Sequence, residues 1–196
     1  MVGRGGDGDQ DCRRNGVVLE GRVKMATIEA MKLTVEPGEN RGKSFQAGGM
    51  GVLFKIFGSE TGGALAVVEH AVDPRRLVPP HTHSDVDEYS YILEGEIGAR
   101  IGDRVISAPR GTYVLKPRGI MHTFWNATDR PARLLEILSP AKFEKFFEEM
   151  GDLMKNAGPE TPQLLGTRAA AHNTMMSMEW VEELKSTYGL KLLGEP

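Results

Sequence analysis

Three histidines and one glutamate carry the chemistry of this chain: His81 and His83 two residues apart, Glu88 five residues further on, and His122 from a later segment. Imidazole nitrogens and carboxylate oxygens hold divalent metals of borderline softness, so iron, nickel, manganese, copper and zinc all suit the set. Spacing matters as much as type. On a strand, residues two apart face the same side, so His81 and His83 point together. Ser84, Asp85 and Asp87 then interrupt the apolar pattern as a polar turn, and with Glu88 facing inward Ser90 and Ile92 share its face. This predicts a hairpin with ligands on both arms. His122 follows the turn formers Pro117-Arg118-Gly119, which would aim it back toward the other three.

The elements around these residues are short and β-rich. Gly51–Phe57 and Ala64–Glu69 flank a glycine-rich hairpin signal at residues 58–63, and Glu88–Leu93 and Ile97–Ile101 flank a tight turn at Glu94-Gly95-Glu96. Arg104–Ile106, Thr112–Leu115, Thr123–Asn126 and Arg133–Leu138 complete about eight strands, an all-β sandwich or barrel. Alternation puts Phe124 on the face of His122 and Trp125 on the opposite one. Phe124 and Ile92 are therefore the candidate walls of a substrate pocket.

After residue 139 the period changes from two to near 3.6. Ser139 and Pro140 read as the cap and first position of a helix whose face carries Phe143, Phe146, Phe147, Met150, Leu153 and Met154. Gly158-Pro159 stops it, and a second helix is expected from Ser177 to Gly189. Packing on the domain's own surface is the expected use of both helices, ahead of a lid or a subunit contact. The division is thus a tail over residues 1–24, a β-barrel over 25–139 and a helical C-terminal extension over 140–196. The tail, rich in Gly, Asp and Arg, is expected to be disordered or an over-extended start before Met25-Ala26-Thr27.

Both histidine segments resemble the two motifs of the cupin superfamily: His-x-His-x4-Glu-x6-Gly over His81–Gly95, and Gly-x5-Pro-x-Gly-x2-His-x3-Asn over Gly111–Asn126. Phe143–Glu148 and Tyr188–Gly194 are similar to the C-terminal extension of small single-domain bacterial cupins of the quercetinase-like group. The resemblance implies a double-stranded β-helix (jelly-roll) barrel holding one metal on His81, His83, Glu88 and His122. It also implies a metal-dependent dioxygenase of quercetinase type acting on a small enolic or aromatic substrate, with Glu88 both ligand and catalytic base. A homodimer is expected too, with residues 25–50 available to supply a swapped strand. Two alternatives stay open: a non-catalytic, metal-dependent small-molecule binding protein, and a metal-dependent sugar or keto-acid isomerase. The isomerase needs a further proton-shuttling group, for which Lys55 and Tyr89 are the available candidates.

Composition narrows the partners. The chain has 196 residues and a net charge of −3, with basic residues dispersed, so no nucleic-acid footprint is present. No apolar run approaches the ~20 residues that span a bilayer. The single cysteine, Cys12, cannot form an internal disulfide, and no signal peptide is visible, so the cytoplasm is the expected location.

Overall fold

The computed structural model describes residues 32–196 apart from 157 and 159. The tail over 1–24, Cys12, Pro159 and the first part of the segment expected to swap lie outside the described residues.

The strands form where inward positions alternate with outward ones. β1 (Phe45–Ala47), β2 (Met50–Ile56), β3 (Ala66–Val72), β6 (Asp87–Glu94), β9 (Tyr113–Lys116) and β11 (Ala132–Ser139) make one six-stranded sheet in the order β1-β2-β3-β11-β6-β9. The expected hairpin between β2 and β3 is present and antiparallel. β11 alternates without interruption, burying Ala132, Leu134, Glu136 and Leu138 while the residues between them stay half-buried. The second sheet runs β12 (Thr174–Met176), β5 (His81–His83), β10 (His122–Asn126), β4 (Arg76–Leu77), β13 (Lys191–Leu192), with β7 (Glu96–Ile101) on β10 and β8 (Arg104–Pro109) on β7. Between the sheets lies the main core, which includes Val68, Leu134, Ile92, Ile97 and Phe124.

One sequence expectation is corrected here. β5 and β6 do not form a hairpin with ligands on both arms. The neighbours of β5 are β10 and β12, and those of β6 are β11 and β9, so the hydrogen-bonding edges of both strands are already taken. Residues 84–86 instead carry the chain from one sheet to the other, with the Ser84 N–H donating to the Asn173 carbonyl at 3.0 Å. The metal-ligating residue types therefore meet across the barrel interior. The Gly95 turn, at a φ of 74°, makes a similar passage from β6 to β7.

The extension holds α1 (Glu144–Lys155), α2 (Thr161–Ala171) and α3 (Val181–Tyr188). α1 begins later than Ser139 and Pro140 predict, because Ser139 is the last rung of β11, paired with Asp87 of β6. Phe143, Phe146 and Phe147 join the main core. α3 does something different: Val181 and Leu184 pack with Leu77, Trp125 and Leu190 in a second cluster. This confirms the opposite facing of Phe124 and Trp125. α2 lacks an apolar stripe and gives no sequence signal, and its buried residues are Thr161 and Ala169. Among the described residues no helix is long and apolar enough to cross a membrane.

Candidate metal centre

His122 pairs with His81 across β10 and β5, which sets two imidazoles side by side with ring centroids 4.5 Å apart. His83 follows on the same face, 4.9 Å from His81 between centroids. Glu88 reaches in from β6 on the other sheet. All four side chains are buried, and one donor atom from each lies within 4.8 Å of the others.

The imidazoles are oriented by their outer nitrogens. His81 Nδ1 lies 2.7 Å from the Pro79 carbonyl, and His122 Nδ1 lies 3.0 Å from the Ile120 carbonyl. A carbonyl only accepts, so in both rings Nδ1 carries the proton and Nε2 offers its lone pair. His83 Nδ1 lies 2.7 Å from Thr174 Oγ1, whose hydroxyl donates to the His172 carbonyl at 3.2 Å, so the same tautomer holds there. Such outer partners are what fix metal-bound histidines in known sites.

The inner atoms then face one another without adequate partners. His83 Nε2 is buried and makes no hydrogen bond, although Glu88 Oε1 is 3.0 Å away. His122 Nε2 sits 3.2 Å from Glu88 Oε2. Lone pairs converging on a carboxylate in a buried space need a cation between them, so these residues fit a divalent metal. Protonation is a poor substitute. Burial, followed by the neighbouring His122 and His83, holds the His81 pKa well below its ordinary value. Burial would raise Glu88, but Lys116 and then His83 hold it well below the usual carboxylate range.

Lys116 was not anticipated from the sequence, nor was its partner Glu136. Lys116 Nζ donates to Glu88 Oε2 at 2.8 Å and to Glu136 Oε2 at 2.7 Å, and the Ser90 hydroxyl donates to Glu136 at 3.1 Å. Burial works against the charge of Lys116, yet Glu136 and Glu88 raise its pKa above the ordinary value. Burial lifts Glu136 to about 7 against the pull of Lys116. A signal existed: both residues occupy the inward phase of alternating strands, Lys116 after Val114 and Glu136 between Leu134 and Leu138. The shuttle candidates named from the sequence lie elsewhere. Tyr89 is 40% exposed, and Lys55 pairs with Glu69.

Ile92 and Phe124 are both buried in the main core, with Lys116 Nζ 5.0 Å from the Phe124 ring centroid. The extension reaches the site directly. Phe143 packs edge-on against His83 at 4.2 Å, and Thr174 comes from β12, which pairs with β5. The loop before His122 is also tied down. The Gly119 N–H donates to the His83 carbonyl at 2.7 Å, at a φ of 75° that favours glycine, and the Arg118 N–H and guanidinium both bind Asp87.

Residues 68–138 match the family profile for the cupin domain, and all four metal-ligand candidates fall within that span. Over that span the chain carries a cupin domain. A similar fold is seen in the predicted oxalate decarboxylase of Thermotoga maritima, which superposes with a TM-score of 0.50 at 16% identity over 55% of this chain and 99% of that one. The polyketide cyclase RemF of Streptomyces resistomycificus aligns at 24% identity over 50% of this chain and 72% of its own, with a TM-score of 0.43. Among curated proteins, the tetracenomycin polyketide synthase protein TcmJ of Streptomyces glaucescens is 28% identical over 122 residues, 62% of this chain and 78% of TcmJ.

Proposed function

We propose that this cupin is a metal-dependent oxidoreductase, a dioxygenase of quercetinase type acting on a small enolic or aromatic substrate. The observation that carries the reading is the convergence of three oriented Nε2 atoms and one carboxylate, with the Phe143 ring packed against His83. His81, His83, Glu88 and His122 would hold one divalent metal, whether iron, nickel, manganese, copper or zinc. A metal in this donor set supplies a Lewis-acidic centre with one or two open positions, and a redox-active ion adds electron transfer. One carboxylate among the ligands leaves net positive charge to attract an enolate. Glu88 would also accept the substrate's hydroxyl proton. Phe143 helps keep water from the ligands and offers an apolar wall to a flat substrate. The TcmJ relationship supports the substrate class, since polyketide frameworks carry alternating ketones that enolise.

Buried Lys116 and Glu136 favour one second reading, metal-dependent isomerisation, because they are proton-bearing groups beyond the ligand set. Elemental analysis of chelator-free protein followed by oxygen uptake with flavonols and phenolic polyketides tests the main proposal. Oxygen consumption coupled to substrate loss is expected. Solvent deuterium entering the substrate without oxygen uptake would transfer the assignment to isomerisation. Thermal stabilisation without any product would leave a binding protein.

The homodimer also stands as a proposal. On the edge strand β9, Tyr113 and Leu115 are largely exposed, a surface suited to a second copy. Light scattering should give twice the 21.5 kDa chain mass, and a single chain mass would overturn it.

A further inference from the structure

Behind the metal-facing carboxylate lies a buried ionic group that the four-ligand reading leaves without a task. Lys116 ends β9 fully buried, its Nζ shared between Glu88 Oε2 at 2.8 Å and Glu136 Oε2 at 2.7 Å. Ser90, one inward position along β6 from Glu88, donates to both oxygens of Glu136 at 3.1 and 3.2 Å. An ammonium and two carboxylates inside a barrel carry a desolvation penalty that apolar side chains of similar size avoid. Packing alone gives no reason for them. Their geometry does, because the whole chain of contacts ends on one oxygen of a metal-ligand candidate.

We propose that Lys116, held by Glu136 and Ser90, is the positioning residue of Glu88 and restricts it to one-oxygen coordination. This rests on the four-residue metal reading. A carboxylate ligand can bind through one oxygen or both, and the second mode consumes a coordination position. The Lys116 ammonium occupies Oε2 with a charge-assisted hydrogen bond, and its positive charge opposes a cation approaching from that side. Oε1, which has no hydrogen bond to Lys116, is the oxygen left for the metal. Glu136 accepts a hydrogen bond from Lys116 on the side away from Glu88 and so anchors the ammonium, and Ser90 keeps the Glu136 carboxyl turned toward Lys116. The open positions around the metal are thereby preserved.

Cobalt(II) is a suitable probe because its visible spectrum reports coordination number. Lys116→Met combined with Glu136→Gln removes one positive and one negative charge together, keeps side-chain volume, and leaves the new amide a hydrogen-bond partner in Ser90. In the full chain carrying both changes the cobalt affinity should shift by about 10–100-fold from wild type, the usual scale for an altered outer-shell partner. Its spectrum should move toward higher coordination as Glu88 swings to bind through both oxygens. A folded double variant with wild-type affinity and spectrum would overturn the proposal while leaving the metal reading intact. Wild-type protein that takes up no cobalt would overturn both. Should the double variant not fold, X-ray absorption or a crystal structure of cobalt-loaded wild type decides the matter. Glu88 bound through one oxygen, with the other on Lys116, is expected, and two-oxygen binding sinks the idea.

Discussion

Every histidine in the centre is held from behind, so the three are not equivalent to loose ligands that could be replaced by solvent. His83 has the most to lose, since its Nε2 is the buried nitrogen with no hydrogen bond of its own. His83→Ala should lower metal affinity by more than about 100-fold, beyond the range for an outer-shell partner, while circular dichroism still reports a folded barrel. Unchanged metal content by elemental analysis would show the ligand assignment to be wrong. His70 gives a second residue-level prediction, on stability. Burial lowers its pKa from 6.5 to about 4, with Lys116 opposing the protonated form and Glu88 and Glu69 favouring it. Its Nδ1 lies 3.3 Å from the Gly51 carbonyl, and its ring packs on Phe147. A group depressed on folding binds protons in the unfolded chain first, so stability is lost as pH falls from 6.5 toward 4. For His70 the loss should be about 2–3 kcal/mol in the metal-free protein, with His81 adding to it in the same direction. Glu136, lifted to about 7 on folding, works in the opposite direction over the same window, so the His70 contribution is the difference between wild type and His70→Phe in denaturant titrations at its two ends. His70→Phe should flatten the slope, and an unaltered slope would mean that His70 is not the titrating group.

Elements explain which parts of this architecture could be read in advance. Alternation identified Glu88, Ser90 and Ile92 as one face and separated Phe124 from Trp125, because a two-residue period is a local property. Pairing partners are not local. The chain around Ser84 to Val86 has the polar composition of a hairpin turn, and only the neighbours of β5 and β6 reveal that it joins two sheets. Lys116 and Glu136 show a related blind spot. A charged residue at an inward phase looks like a break in the pattern until both members are seen within one hydrogen bond of each other. Thr174 left no trace at all, since its task depends on β12 lying beside β5. Gly98 illustrates the same dependence and can be tested. It is paired with Trp125 across β7 and β10, and a Cβ there would lie 2.3 Å from the indole ring. Trp125 is wedged among Leu77, Val181 and Leu184, so the ring has little room to retreat. Gly98→Ala should destabilise the fold by about 1–3 kcal/mol, read as an earlier denaturation midpoint. No change in midpoint would mean that the indole can yield.

At the scale of the whole molecule, a metal in this centre would tie together parts that the chain makes separately. His81, His83 and His122 stand on one sheet, Glu88 stands on the other, and Thr174 links His83 to the C-terminal extension. Whatever binds only the folded form raises its stability, by about 4 kcal/mol when the free metal is a thousand times its dissociation constant. The thermal midpoint should therefore climb on metal addition and fall back with chelator. Thr174→Val separates the contribution of the extension from simple packing. Losing the hydroxyl leaves His83 Nδ1 without its acceptor, so the metal-free variant should be weaker by about 1–2 kcal/mol. If packing were the whole role of β12, the further rise on adding metal would equal that of wild type. If Thr174 orients His83, affinity drops by about 10–100-fold, and the rise shrinks by about 1.4–2.8 kcal/mol. Comparing the two increments, rather than the two midpoints, isolates the hydroxyl's effect on the metal from its effect on the fold. Equal increments would return the extension to a covering role; a smaller one in the variant makes it part of the centre.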